Sequence, residues 1–404
     1  MPEKHAFAPL AAAHFMTTFN SNFMKNALVL LVVASMHPRD AETMSSFVSA
    51  IFMIPMIFLS GLGGQLADKH GKAMMAKMLK GVEIVAVGVS LVGLAYESYW
   101  TVLMGVVLLQ VVGSLFGPVR SSLIPALVPV AQVPSANAWI EGLSFLAMIL
   151  GLGFLGLVFS FEGFVRILAC AVIVAVAVGS FVVIRFVPPD DMYSPSAVVD
   201  KNLLKGTWRT LRGITNERGI LKPAVSLGWS WFVVSLVLST IPAMVARSDA
   251  GPTSMTGAMI AFGIVGTISA QLAAKLCGSM NKRLVAAGGF AVLAAGVGGV
   301  ALALAGSGGL TLLTGAICTV AMAHSFVLIP AATAIQIGVP ADRRARAAAG
   351  SNIVNALFMV IGGMLVAAVQ AVGGELSIIY AACGLASLLF AALFLHGGST
   401  ARKF

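Results

Sequence analysis

About twelve apolar stretches, each close to 20 residues long and joined by short polar turns, constrain what this chain can become. A helix of roughly 20 such residues matches the thickness of a bilayer's hydrocarbon core. The stretches run approximately over 8–35, 45–66, 74–96, 100–124, 136–159, 164–187, 223–246, 255–277, 284–305, 309–337, 347–371 and 376–396. Hydrophobic residues make up 59% of the chain and charged residues 10%, with a mean hydropathy of +0.97, which excludes an ordinary soluble domain. The first stretch is too long and too polar for a cleavable signal. The pattern predicts an all-α, multi-pass membrane protein.

The net charge of +10 invites a nucleic-acid reading, and its distribution rejects one. With the amino terminus inside, 21 of the 25 Lys and Arg residues fall at or near even-numbered loops, leaving Lys25, Arg39, Arg166 and Arg247. Glu42, Glu97, Glu162, Asp249 and Glu375 fall in the opposite loops. This asymmetry is the positive-inside rule, and it predicts that both termini are cytoplasmic. The basic excess is an orientation signal.

The segments divide six and six around the longest hydrophilic stretch. The expected organisation is an amino-terminal six-helix bundle at 1–187, a cytoplasmic linker at 188–222 and a carboxy-terminal six-helix bundle at 223–404. Two such bundles around a central site are a recurring transporter layout. Inside the linker Leu204, Trp208 and Leu211 recur at helical spacing among Lys201, Lys205, Arg209 and Arg212. That pattern predicts a basic amphipathic helix on the cytoplasmic leaflet, the alternative being a tether.

No catalytic constellation is present. The chain lacks GxSxG, HExxH and a phosphate-binding glycine loop, and Cys170, Cys277, Cys318 and Cys383 have no metal-ligand spacing. Enzyme activity, a cofactor, a metal and a nucleic-acid partner are all unexpected.

The informative residues are polar groups at membrane depth. Segment 1 carries Asn20, Asn22, Lys25 and Asn26, of which Asn22, Lys25 and Asn26 share one helical face. A charge at the bilayer centre costs roughly 3 kcal/mol on insertion scales, so it normally faces a polar path or a partner. Lys80 and Glu83 in segment 3 are spaced for an i,i+3 ion pair, while segment 5 brings Asn137 and Glu141 and segment 11 brings Asn352 and Asn355. Each pair could equally serve as a packing contact between helices. His324 could line a cavity or bond within the core. Polar groups concentrate in the amino-terminal half, which predicts a cavity with one polar and one apolar wall, suited to an amphipathic substrate.

The run Gly64-Gln65-Leu66-Ala67-Asp68-Lys69-His70-Gly71-Lys72 resembles the G-x-L-A-D-x-x-G-[RK] signature of the major facilitator superfamily. The resemblance implies that superfamily's fold, and it implies gating roles for Gly64, Asp68, Gly71, Lys72 and Arg120. In that family the acid of the motif pairs with helix ends or an arginine. Arg120 is the expected partner of Asp68, with Glu141 as its competing partner.

A narrower resemblance covers nearly the whole chain. Phe19-Asn20-Ser21-Asn22-Phe23-Met24-Lys25-Asn26-Ala27-Leu28 is similar to the F-N-D-N-x-x-K-N-A-L stretch of bacterial lysophospholipid transporters. Matches follow in order at Lys80–Ile84, Phe116–Arg120, Ala136–Ala138 with Glu141, Trp229–Phe232, Ile329-Pro330 with Gln336, Asp342–Arg346 and Asn352–Met359. The resemblance implies a flippase moving lysophospholipids from the outer to the inner leaflet of the bacterial inner membrane by alternating access. It also implies membrane lipids and a cytoplasmic acyltransferase/acyl-carrier-protein synthetase as partners. Lys25 would meet the phosphate, and Asn20, Asn22 and Asn26 the glycerol or head group. Glu83 and Glu141 would supply counter-charges, with Lys80, Asn352 and Asn355 completing the site. Ser21 stands where that family has aspartate and Arg120 where lysine is usual, so the head group stays open. The competing reading is a carrier of another amphipathic solute, a drug or a siderophore.

Overall fold

The structure is a computed structural model that describes residues 6–35, 38–159, 164–189, 193–217, 219–247, 252–306 and 309–396. At 32–35, 38–52, 159, 164–166, 241–247 and 252–256 it describes backbone alone. Lys4, Glu162, Asp190, Asp191, Arg218, Asp249, Arg402 and Lys403 lie outside the described residues, as do the side chains of Arg39, Glu42, Arg166 and Arg247.

Among the described residues the chain is wholly helical. Its α-helices are α1 (Phe7–Ser35), α2 (Pro38–His70), α3 (Lys72–Ala95), α4 (Tyr99–Leu127), α5 (Val133–Phe159), α6 (Phe164–Ile184), α7 (Leu203–Asn216), α8 (Leu221–Arg247), α9 (Pro252–Ser279), α10 (Lys282–Leu304), α11 (Gly309–Ile337), α12 (Arg344–Ala371) and α13 (Leu376–His396). Ten of them, α3–α6 and α8–α13, are long and apolar enough among the described residues to cross a membrane. α7, within the stretch 188–222, is short and strongly amphipathic.

Local chemistry sets the breaks. α2 and α3 meet at Gly71, whose φ of 89° lies in the left-handed region that only glycine enters at little cost. Its N–H still donates to Ala67 O at 3.1 Å, so the turn closes without an orphaned donor. α3 and α4 approach closely because Gly105 has no side chain: a Cβ there would come within 2.6 Å of Ser90 N. Small residues at such crossings replace the hydrophobic drive that lipid cannot provide.

The chain forms two compact units. The first comprises residues 1–130, 146–213 and 339–353, and the second 131–145, 214–338 and 354–404. The first unit therefore includes the start of α12, and the second the start of α5. The first unit's core joins Phe19, Phe23, Met24 and Leu28 of α1 to Val87, Val102, Leu109, Leu155 and Ile173. The second unit's core joins Phe232, Phe290, Leu293, Val297, Val320, Val327, Tyr380 and Phe394.

Candidate functional site

α1 splits its residues sharply between two faces. Phe23, Met24, Ala27 and Leu28 are buried, whereas Lys25 is exposed and Asn22 and Asn26 are half-buried. The two amides fold back along their own helix: Asn22 Nδ2 donates to Thr18 O and Asn26 Nδ2 to Asn22 O, both at 2.8 Å. Thr18 Oγ1 in turn donates to His14 O at 2.9 Å. The result is a continuous polar stripe along α1, with Lys25 on the same side of the helix.

Asn20 sits on the opposite face. It is fully buried, and its Nδ2 donates to Ile173 O of α6 at 3.2 Å. The structure thus places Asn20 inside a helix contact instead of on an open wall.

Lys80 and Glu83 are also sealed within the first unit, at 0% exposure each. Their expected i,i+3 pair forms, with Nζ to Oε2 at 2.8 Å. Thr17 Oγ1 of α1 donates to the same carboxylate oxygen at 2.9 Å and also contacts Lys80 Nζ. The Lys80 ammonium lies 3.9 Å from the centroid of the Phe116 ring of α4. This network ties α1, α3 and α4 together, and all four of its side chains are buried.

The glycine-acid motif acts at the end of α2. Asp68, beyond the apolar stretch 45–66, is fully buried, and its Oδ2 accepts from Arg346 Nε at 2.9 Å and Arg346 N at 3.3 Å. The expected Asp68–Arg120 pairing is corrected: Arg346, at the start of α12, takes the acid. Burial pushes the Asp68 carboxyl up to about 6, and the neighbouring Arg346 and Lys72 oppose that rise. Gly64 makes the approach of α12 feasible, because a Cβ there would stand 2.7 Å from Ala345 O and 2.9 Å from Ala349 Cβ. Lys72 is buried behind the turn. Arg120 Nη1 instead donates to the His14 ring, at 2.9 Å from Nδ1. Asn352 packs on α4 at Gly117, where a Cβ would come within 2.8 Å of its Nδ2.

The basic turn Asp342–Arg346 is plain in the sequence, but its pattern assigns Arg346 no partner, and His14 stands in no motif. The signal for Arg346 was present, since that turn precedes α12 as the acid motif follows α2. No local pattern marked His14.

In the second unit, Asn137 and Gln336 exchange amide hydrogen bonds of 2.8 and 2.9 Å, and Asn137 Nδ2 also reaches Thr333 Oγ1 at 3.2 Å. Glu141 Oε1 lies 3.9 Å from His324 Nε2, and His324 Nδ1 is 3.1 Å from Ser230 Oγ. His324 is buried against Trp231, which places it in the core. Asn355 is buried on α12. The described residues hold no group of His, Cys, Asp and Glu that could bind a metal.

Comparison with known proteins accords with this architecture. A family model described as Major Facilitator Superfamily matches residues 10–363. Two curated proteins from Shigella flexneri, each named lysophospholipid transporter LplT, are 24% identical over 271 residues, or 65% of this chain. The chain spans 64% of the length of these relatives. Among solved structures, the human organic anion transporter MFSD10 (TETRAN) superposes with a TM-score of 0.76 at 12% identity, covering 98% of both chains. The proton:xylose symporter XylE gives 0.75 at 12% identity, covering 98% of this chain and 96% of the symporter. An outward-facing bacterial homologue of ferroportin gives 0.73 at 15% identity, covering 96% and 98%. At such identities these structures show a common fold.

Proposed function

Because this chain belongs to the major facilitator superfamily, and is therefore a membrane transporter, we propose that its substrate is a lysophospholipid, flipped from the outer to the inner leaflet. The observation that carries the proposal is the polar stripe of α1, in which the exposed residue Lys25 stands between Asn22 and Asn26. A cation held at that depth suits an anionic group that must cross the bilayer. A charge-assisted bond to phosphate is stronger than a neutral one, so Lys25 takes the phosphate while Asn22 and Asn26 hold the glycerol or head group. The distant relatives named as lysophospholipid transporters support this choice of substrate.

The remaining roles follow. Asn20, Lys80 and Glu83 position α1 from within the packed unit. Glu141, 14% exposed, is the counter-charge for an amine head group. Gly64, Asp68, Gly71, Lys72 and Arg346 gate an alternating-access cycle, and Arg120 braces α4 against α1 through His14. Asn352 and Asn355 place α12. The single acyl chain runs along apolar helix faces. The protein resides in the bacterial inner membrane with both termini cytoplasmic, and a cytoplasmic acyltransferase/acyl-carrier-protein synthetase consumes the product.

The test is uptake of labelled lysophosphatidylethanolamine and lysophosphatidylglycerol by the purified protein in liposomes, with and without ion gradients. Transport by the parent and its loss in Lys25→Ala, with both proteins equally well folded, are expected. Normal uptake by Lys25→Ala would remove the phosphate role. A drug or siderophore carried in place of either lysolipid would replace the substrate reading.

A further inference from the structure

α7 is mounted inside out for a helix in water. Gly206, Thr207 and Thr210 are buried against α2, and Ile214 in the last turn is buried as well. Thr207 Oγ1 donates to Phe58 O at 3.4 Å, and a Cβ on Gly61 would meet Thr210 Oγ1 at 3.0 Å. The opposite face presents Leu204 at 67% and Trp208 at 69% exposure, with Leu203 and the half-buried Leu211 beside them. An amphipathic helix in water turns its apolar stripe to the protein. This one buries Gly206, Thr207, Thr210 and Ile214 and leaves Leu204 and Trp208, its bulkiest exposed apolar residues, outward.

The chain before α7 is strapped to the same part of α2. Asp200 N donates to Gln65 Oε1 at 2.7 Å, Ser194 N donates to Asp68 O at 2.8 Å, and Arg209 pairs with Asp200 at 2.8 Å. Asn202 Oδ1 accepts from Lys205 N at 3.0 Å and caps the helix start. The outward orientation is therefore held at several points. Lys201, Lys205, Arg209 and Arg212 border the exposed Leu204–Trp208 stripe, against which the described residues 193–217 set Asp200 and Glu217. Apolar side chains rimmed by cations match one surface well: acyl chains beneath anionic head groups.

We propose that α7 is an anionic-lipid-binding surface, its Leu204–Trp208 stripe set into the leaflet and its lysines on anionic phospholipid head groups, anchoring the motif-bearing end of α2 at the membrane surface. The proposal is independent of which substrate is carried.

Trp208 reports the contact directly. The chain has five tryptophans, so the emission lost in Trp208→Phe isolates the Trp208 signal. The full-length protein is reconstituted in vesicles in which bromine is carried either by phosphatidylcholine or by phosphatidylglycerol, at equal total bromine. The Trp208 signal is expected to be quenched in both, and more strongly when bromine is on the anionic lipid. Lys201→Gln/Lys205→Gln should lower that preference by about fivefold per lysine, the equivalent of roughly 1 kcal/mol for each cation near an anionic surface. An unquenched Trp208 signal, whether the helix meets water, a soluble protein or a second copy, would overturn the proposal. Equal quenching by the two lipids, or a preference unchanged in the double variant, would overturn its anionic part.

Discussion

Replacing Lys80 with methionine removes one half of an ion pair that has no solvent to fall back on. Both partners are at 0% exposure, so Glu83 would be left with the Thr17 hydroxyl alone among the contacts described above. Breaking a buried pair from one side costs about 3–5 kcal/mol, because an uncompensated charge stays in a poor solvent. The protein can escape by neutralising the survivor. Protonating an ordinary carboxylate at pH 7 costs about 3.7 kcal/mol, and deprotonating an ordinary lysine about 4.6 kcal/mol. Lys80→Met should therefore destabilise by about 3–4 kcal/mol at pH 7, and Glu83→Gln by up to about 4–5 kcal/mol. Lys80→Met/Glu83→Met should lie within about 1 kcal/mol of the parent, since apolar replacement of a whole buried pair is often neutral. Unfolding in detergent micelles at pH 7, followed for the parent and these three variants, provides the readout. Single variants no worse than the double variant would refute the reasoning.

Three further outcomes are expected. The Asp68 carboxyl, raised to about 6, carries its charge above that pH and loses it below. Because a raised acid is easiest to bury protonated, the stability that its burial confers declines as pH rises from 3.8 toward 6, and Arg346 offsets the cost above that window. Arg346→Ala should therefore destabilise at pH 7.5 and be nearly neutral at pH 5, while Asp68→Asn should show little such pH dependence; thermal unfolding at the two values checks both. Gly64→Ala should cost about 1–3 kcal/mol and reduce transport, because the new Cβ would meet backbone of α12 at 2.7 Å. Gly113→Ala, with nothing within 4 Å of the new Cβ, is the matched control. Asn137→Leu should cost about 1–2 kcal/mol by orphaning the Gln336 amide, and Asn137→Leu/Gln336→Leu should recover part of that loss in the same unfolding assay.

Much of this protein could be read from one residue to the next. Apolar runs of bilayer length determined that the chain is a bundle of spanning helices, because a helix's reach depends only on its residue count. Gly71 marked the α2–α3 turn, since a backbone with φ of 89° rejects other residues. The i,i+3 spacing of Lys80 and Glu83 determined their pairing, which a single helix enforces. The stripe of Asn22, Lys25 and Asn26 followed from helical periodicity. Pairings between distant helices were not legible in this way. Asp68 finds Arg346, 278 positions away, and Arg120 finds His14 because helix packing sets which ends meet. Asn20 and Asn22 are two positions apart and identical in type, yet one is sealed against α6 and the other borders the polar stripe. In α7 the amphipathic pattern was plain from the sequence, but its docked face was decided by close contact at Gly61 and by the hydrogen bonds at Phe58 and Gln65. Periodicity tells which residues share a face; only the packed neighbours determine what that face meets.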